Sequence, residues 1–375
     1  MFKQYQLKNY NFRLIVLVLA LSIMGILVIG SAKESSQIKQ IIGLGLSLVV
    51  MVVASLVDYT WLLKLQWLMY AGSIAILAAV IFFGKEVNGS RRWFEIPHIG
   101  LTFQPAELVK ILMILFFAKF FMDHQEELQQ KNRTVLIAVG LAAPLLLLVY
   151  KQPDLSTTIC MTLIFCTMIY ISGISYKWVL GVLGVALPVG IIFFSIILNP
   201  DQTLIQGYQA GRILAWLYPE KYPDLAYQQQ NSIMAIGSGQ LSGKGLANNV
   251  IASVKNGNFI SEPQTDFIFA VAGEELGFIG SCAIIILIFL IVFELLRMAG
   301  KARDFSGRVI CCGMAALIGF QSFLNIAVAT GLIPNTGIPL PFVSYGLTSL
   351  VSLYAGIGIV LNVGLQTSYS NYRRD

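Results

Sequence analysis

The chain of 375 residues is 57% hydrophobic and only 12% charged. A soluble domain carries roughly a quarter charged residues, so a water-soluble globular protein is excluded. The net charge of +6 is therefore read for membrane topology, and no nucleic-acid partner is expected.

Apolar runs recur along the whole chain, each long enough to cross a hydrocarbon core of about 30 Å as a helix. They predict an all-α polytopic membrane protein, a single integral membrane domain over 1–375. Ten spans fall near 13–33, 38–57, 61–83, 104–122, 134–150, 155–173, 177–198, 268–296, 308–332 and 345–366. The first run, "RLIVLVLALSIMGILVIGSA", is too long for the core of a cleavable signal peptide and reads as a retained span. Lys3, Lys8 and Arg13 lie at its start, and Lys131 and Arg133 precede the fifth span. Arg297, Lys301, Arg303 and Arg308 fill the eighth connection, and Arg373–Arg374 sit near the C-terminus. An even number of spans puts all these cations on one side. The positive-inside rule makes that side, and both termini, cytoplasmic. The connections near 34–37, 84–103, 151–154 and 333–344 then lie outside, with one long segment, 199–267, between spans seven and eight. A loop of that length is uncommon unless it has a function. Its amphipathic stretches are suited to the membrane surface.

Taken in order, the polar residues of these outer parts form a series. Arg91, Arg92 and Trp93 sit at an outer boundary, either to grip a lipid phosphate or as an interfacial anchor. Glu107 and Lys110 share a helix face at i,i+3 and line a cavity or form a structural ion pair, with the cavity favoured because ionisable groups at membrane depth usually face one. Asp154 in "YKQPDLSTT" is placed to cap the sixth span, with Pro153 before it. Gln209 and Arg212 share a face of any local helix, and the Arg212 guanidinium offers a bidentate fork for phosphate. "GSGQLSGKG" lacks the spacing of a nucleotide-binding P-loop and reads as a tight turn with Lys244 at its tip. "SEPQTDFIFAVAGEELGFIG" then places Asp266, Glu274 and Glu275 at the mouth of the eighth span. Locally, Asp266 or Thr265 reads as an N-cap. "IPNTGIPLPFVSYGLTS" is an outer loop without charge, the kind usually buried against something. All five cysteines fall in predicted spans and only His98 and His124 are available, so neither a disulfide, a thiolate metal site nor a histidine-based zinc site is expected.

The pieces "FQPAELVK", "QPDL", "YQAGR", "SIMAIGSG", "GKGL", "TDFIFAVAGEELG" and "PNTGIPLPFVSYG" follow one another as in the SEDS family (shape, elongation, division and sporulation), to which RodA and FtsW belong. The resemblance covers essentially the whole chain, and the short termini resemble RodA more than FtsW. It implies ten spans in the cytoplasmic (inner) membrane of a bacterium and a peptidoglycan glycosyltransferase that polymerises lipid II on the outer face. It implies a class B penicillin-binding protein as transpeptidase partner. By position in the motif the family's catalytic carboxylate corresponds to Asp266, and Glu107, Lys110, Asp154, Gln209 and Arg212 correspond to family cavity residues. Ser156, Gln240 and Leu347 stand where the family usually has glycine, at turns and packing positions.

The chemistry implied needs few groups. A sugar hydroxyl is a poor nucleophile until a base takes its proton, and a single displacement inverts an α-linked lipid pyrophosphate to a β-linked product. Asp266 is the expected base. Lys110, Arg212 and Arg91 or Arg92 are candidates to meet the departing pyrophosphate. A divalent cation (Mg²⁺ or Mn²⁺) is a further candidate, although no ligand cluster specifies one. A lipid II flippase and a non-catalytic scaffold for a penicillin-binding protein are the competing readings. Against the first stand the lack of an inverted repeat and of a nucleotide motif.

Overall fold

A computed structural model describes residues 9–366, apart from 88–89, 97–100, most of 179–207, and 247–258. The predicted spans coincide with helices, except the seventh, 177–198, which lies largely outside the described residues. The helices are α1 (Phe12–Ala32), α2 (Glu34–Leu56), α3 (Tyr59–Lys64), α4 (Gln66–Phe83), α5 (Pro105–Asp123), α6 (Gln125–Gln130), α7 (Asn132–Lys151) and α8 (Leu155–Ile171). Then follow α9 (Tyr208–Leu217), α10 (Pro223–Ser238), α11 (Ile268–Lys301), α12 (Phe305–Ala329) and α13 (Leu347–Leu365). Among the described residues, seven of these are long and apolar enough to cross a membrane.

Helix starts follow local chemistry. Asn11 caps α1 by accepting from Leu14 N at 3.2 Å, Asp154 caps α8 through Thr157 N at 3.1 Å, and Asp304 caps α12 through Gly307 N at 2.7 Å. Pro105 occupies the first turn of α5, where its missing N–H costs nothing. The third predicted span is two helices, α3 and α4, meeting at Leu65.

Helices α12 and α13 are buried over most of their length, whereas α1, α2, α4 and α7 bury one face and leave an apolar face exposed. In a bilayer such a face meets acyl chains, so its exposure carries no penalty. Buried amides fasten the core: Asn362 accepts from Tyr59 N at 3.0 Å and donates to Ser55 O at 2.8 Å.

One end of the bundle carries the irregular structure. Residues 84–103, expected as a short loop, include an antiparallel sheet of β1 (Lys85–Val87), β2 (Ser90–Ile96) and β3 (Leu101–Phe103) in the order β1-β2-β3. Within the long segment α9 and α10 pack against each other, and α10 lies along α11. The uncharged loop 333–344 is tucked in as expected, with Ile338, Leu340, Phe342 and Val343 buried.

Helix α11 is not continuous. Gly277 has φ 65° and ψ −161° inside it. The amides of Phe278 and Ile279, which an unbroken helix would pair with the carbonyls of Glu274 and Glu275, donate instead to Gln240 O (2.8 Å) and Leu241 O (3.2 Å). The two orphaned carbonyls accept from Lys244 N (3.0 Å) and Gly245 N (2.9 Å). The turn after α10 is thus spliced into the break, and these four backbone groups are all paired. A Cβ on Gly277 would lie 2.3 Å from Gly243 N, so the splice needs glycine there on steric as well as conformational grounds.

Candidate active site

Between the sheet, α9 and the 333–346 loop lies a cavity of about 420 Å³ whose walls include Arg92, Gln104, Arg212, Asp266, Gly337 and Thr348. Asp266 sits just ahead of α11, outside the spanning helices. The chain that carries it is pinned on three sides. Ser344 Oγ donates to Thr265 O (2.6 Å), Tyr345 N to Gln264 O (2.9 Å), and Asn325 Nδ2 to both Asp266 O (2.8 Å) and Ile338 O (2.7 Å). The carboxylate itself does not cap the helix: the cap position of α11 is Phe267, which offers no side-chain bond. Burial pushes the Asp266 carboxyl up to about 6, with Arg212 and Arg92 pulling it down and Asp154 adding to the rise. Gly337, at φ 69°, faces it, and a Cβ there would stand 3.1 Å from Asp266 Oδ2. Glycine at that position lets the loop backbone approach the carboxylate with no side chain crowding it.

The cationic wall is built from β2 and α9. Arg92 donates through Nε to Gln152 O at 3.0 Å, through Nη2 to Pro153 O, and its Nη1 lies 3.6 Å from Asp154 Oδ2. Asp154 is therefore both the cap of α8 and the partner of Arg92, with Gln104 Nε2 also near it at 3.4 Å. Lys151 is exposed and does not take that role. Arg212 Nη1 donates to Asn335 O at 3.1 Å, joining α9 to the 333–346 loop.

The remaining sequence expectations divide. Glu107 and Lys110 do pair, at 2.8 Å, but both are buried and neither lines the cavity. Lys110 Nζ also donates to Gln321 Oε1 (2.6 Å), and Gln321 Nε2 donates to Pro339 O (3.0 Å). The pair thus lies one layer behind the wall and supports the loop that shapes it. Arg91, adjacent to Arg92 on a strand, points to the other face and pairs with Glu86 at 3.2 Å among exposed side chains. Lys244 is committed elsewhere: it pairs with Glu274 at 2.7 Å beside a separate hollow of about 250 Å³. Gln209 belongs to α9, but its side chain, like His98, lies outside the described residues. Sequence reasoning passed over Gln104, Gln321, Asn325 and Gly337. Gln321 and Asn325 were detectable as amides inside an otherwise apolar run.

Among the described residues no three His, Cys, Asp or Glu side chains converge as a metal site. Asp154 is spent on Arg92, Gln104 and the α8 cap, and the other carboxylate on the cavity wall, Glu262, pairs with Lys33 at 3.4 Å. The donor set does not fit a resident divalent cation.

Fold and cavity together define a polytopic helical membrane protein with a half-buried acid and two arginines facing an open polar cavity at one end of the bundle. The chain matches the family model FTSW_RODA_SPOVE, cell cycle protein, over residues 6–369, and it belongs to that family, the SEDS proteins. It is 31% identical to the probable peptidoglycan glycosyltransferase FtsW of Geobacter sulfurreducens, over 96% of each chain. It is 34% identical to the stage V sporulation protein E of Bacillus subtilis, over 89% of this chain and 87% of that one. Among solved structures it resembles a chain of a peptidoglycan synthase complex that coordinates polymerization and crosslinking, with TM-score 0.78 and 28% identity over 97% and 99% of the two chains. It also resembles the rod shape determining protein RodA of Thermus thermophilus, with TM-score 0.69 and 26% identity over 98% of both.

Proposed function

We propose that the chain is a peptidoglycan glycosyltransferase that polymerises lipid II, with the Asp266 cavity facing outward from the cytoplasmic membrane and both termini cytoplasmic. The observation that carries this reading is the Asp266 carboxylate, uncapped and displaced upward in affinity for a proton, facing a cavity flanked by Arg92 and Arg212. A carboxylate with a proton affinity near pH 6 is ionised at neutral pH and still basic enough to accept a proton in a transition state. The acceptor hydroxyl gives its proton to Asp266 as its oxygen bonds to the anomeric carbon of the donor. The bond from that carbon to the pyrophosphate oxygen breaks on the opposite face, with inversion. Arg212 and Arg92 supply the positive field into which the diphosphate charge develops, and being held by backbone carbonyls they need little reorganisation.

Translocation of lipid II is the weaker reading, because Glu107 and Lys110 are packed solid against Gln321. A pure scaffold has no use for a half-buried acid in a cavity. We further propose a class B penicillin-binding protein as partner and a role in cell-shape elongation, by analogy with the RodA match. Copurification with a division-type transpeptidase instead would reassign that role without touching the chemistry. The direct test is purified chain in liposomes with lipid II, scored for glycan strands with and without the transpeptidase. Strands made by the wild type and lost in Asp266→Asn are expected; no strands under either condition, with lipid II crossing the bilayer, would replace polymerase by flippase.

A further inference from the structure

At the opposite end of the bundle from Asp266, a second cavity of about 390 Å³ opens between the first turn of α1 and the last turns of α11. The part of α11 beyond its break, 278–301, is roughly 35 Å long at 1.5 Å per residue, so the two cavities are a bilayer apart. Three cations, Arg13, Arg297 and Lys301, line this one against a single acid, Glu294. Residues 294, 297, 298 and 301 recur at helical spacing, so one face of α11 supplies a wall and the start of α1 supplies the other.

Glu294 is buried and both its oxygens are engaged. Oε1 accepts from Asn11 Nδ2 at 2.7 Å, and Oε2 lies 3.5 Å from Arg297 Nη1. Its charge ties the two helices together and fixes Arg297 at the rim. Arg13 and Lys301, by contrast, have no ion pair among the described residues. Two uncommitted cations at the membrane boundary, around a hollow between spanning helices, are what a phosphate headgroup needs. Basic pockets of this kind on the inner side of membrane proteins hold anionic lipid headgroups, and guanidinium supplies paired donors for phosphate oxygens.

We propose that this cavity is a phosphate-binding site, taking the phosphodiester of an anionic phospholipid between Arg13, Arg297 and Lys301. The orientation proposed above puts it in the cytoplasmic leaflet; the binding itself does not depend on that orientation or on the polymerase reading. Such a site would seat α1 against α11, the helix that leads from Asp266.

The test uses the full chain in neutral detergent, with retained lipid counted by native mass spectrometry. It is titrated in separate arms with phosphatidylglycerol, phosphatidylcholine and inorganic phosphate. Wild type is expected to retain phosphatidylglycerol over phosphatidylcholine, and Arg13→Gln/Lys301→Gln to bind it roughly thirtyfold more weakly, about the loss expected for two surface cations near a headgroup. Arg13→Lys/Lys301→Arg keeps the charge and is expected to keep binding, which separates the site from misfolding. Asp266→Asn is expected to bind lipid as wild type does. Displacement by inorganic phosphate with no preference among lipids would assign a soluble phosphate ligand and overturn the lipid source. Equal weakening by Lys131→Gln/Arg133→Gln would reduce the effect to diffuse surface charge, and retention unchanged in Arg13→Gln/Lys301→Gln would remove the site.

Discussion

Replacing Asp266 by Asn separates a catalytic base from a structural carboxylate, because the two roles move stability in opposite directions. Burial holds the Asp266 carboxyl at about 6 against an ordinary 3.8. The unfolded chain therefore ionises at lower pH than the folded one, and between those values the folded state binds more protons. Stability contributed by the protonated form is lost as pH rises through 6, and above it the folded protein carries the whole cost of an ionised buried carboxylate. At about 1.4 kcal/mol per pH unit the ceiling is about 3 kcal/mol, lowered by water that reaches the carboxylate through the cavity. Asparagine keeps the shape and cannot ionise. Its backbone carbonyl is still held by Asn325. The variant should thus melt at a higher temperature than wild type at pH 8, with the advantage shrinking as pH falls from 6 to 4. Its polymerisation of lipid II should fall about a hundredfold to ten-thousandfold. Thermal unfolding in detergent across pH, run beside glycan gels, reads both quantities. A variant that melts lower than wild type at pH 8 and still polymerises would show a cap or a strut, and the general-base assignment would be wrong.

Arg212→Gln removes the largest downward pull on Asp266, so the acid limb of the rate profile should move to higher pH, measured as the midpoint of rate against pH. Gly337→Ala places a methyl 3.1 Å from Asp266 Oδ2 at φ 69°; polymerisation should drop at least tenfold, while the left-handed backbone costs about 1–2 kcal/mol in a thermal melt. Lys110→Ala strands Glu107 in the core and should cost about 3–5 kcal/mol in the same melt, whereas Glu107→Gln/Lys110→Met should recover most of it. Cysteine at Glu220 should react with an impermeant reagent on intact cells and cysteine at Lys131 only after permeabilisation; the reverse pattern would turn the cavity inward.

Much of this was legible because membrane helices announce themselves by length and apolarity. Hydrocarbon tolerates only helices and closed barrels, and uninterrupted apolar runs of about 20 residues select the helix. Arg92, Asp154, Arg212 and Asp266 stood out as polar groups in an apolar chain, but locally Asp154 and Asp266 read as helix caps and Arg92 equally as an interfacial anchor; the family resemblance, not the local pattern, pointed to Asp266 as the base. Face assignment was harder. Arg91 and Arg92 read alike as neighbours, and only the strand in which they lie sends one to the cavity and the other to Glu86. Glu107 and Lys110 were read as wall residues because pairing at i,i+3 says that two groups share a face but not what that face meets. The answer came from Gln321, 211 residues after Lys110 in chain order and 2.6 Å from it in space.

The break in α11 was hidden for the opposite reason. Apolar residues flank Glu274 and Glu275 on both sides within 268–296, and a glycine in an apolar helix is usually tolerated without a kink. What marks Gly277 is its partner, the glycine-rich turn 237–245, which read alone as an ordinary tight turn. The two make sense only together: one chain opens a helix by one peptide step, and the other brings two donors and two acceptors to close it. That splice also fixes where Lys244 goes. Its amide bonds Glu274 O and its ammonium pairs with Glu274 Oε1, so the cation that seemed free at a loop tip is the bolt of the joint. The joint binds α10 to the helix that begins two residues after Asp266. The carboxylate thus sits at the start of a helix whose first turns are fastened to the turn after α10 by four backbone hydrogen bonds.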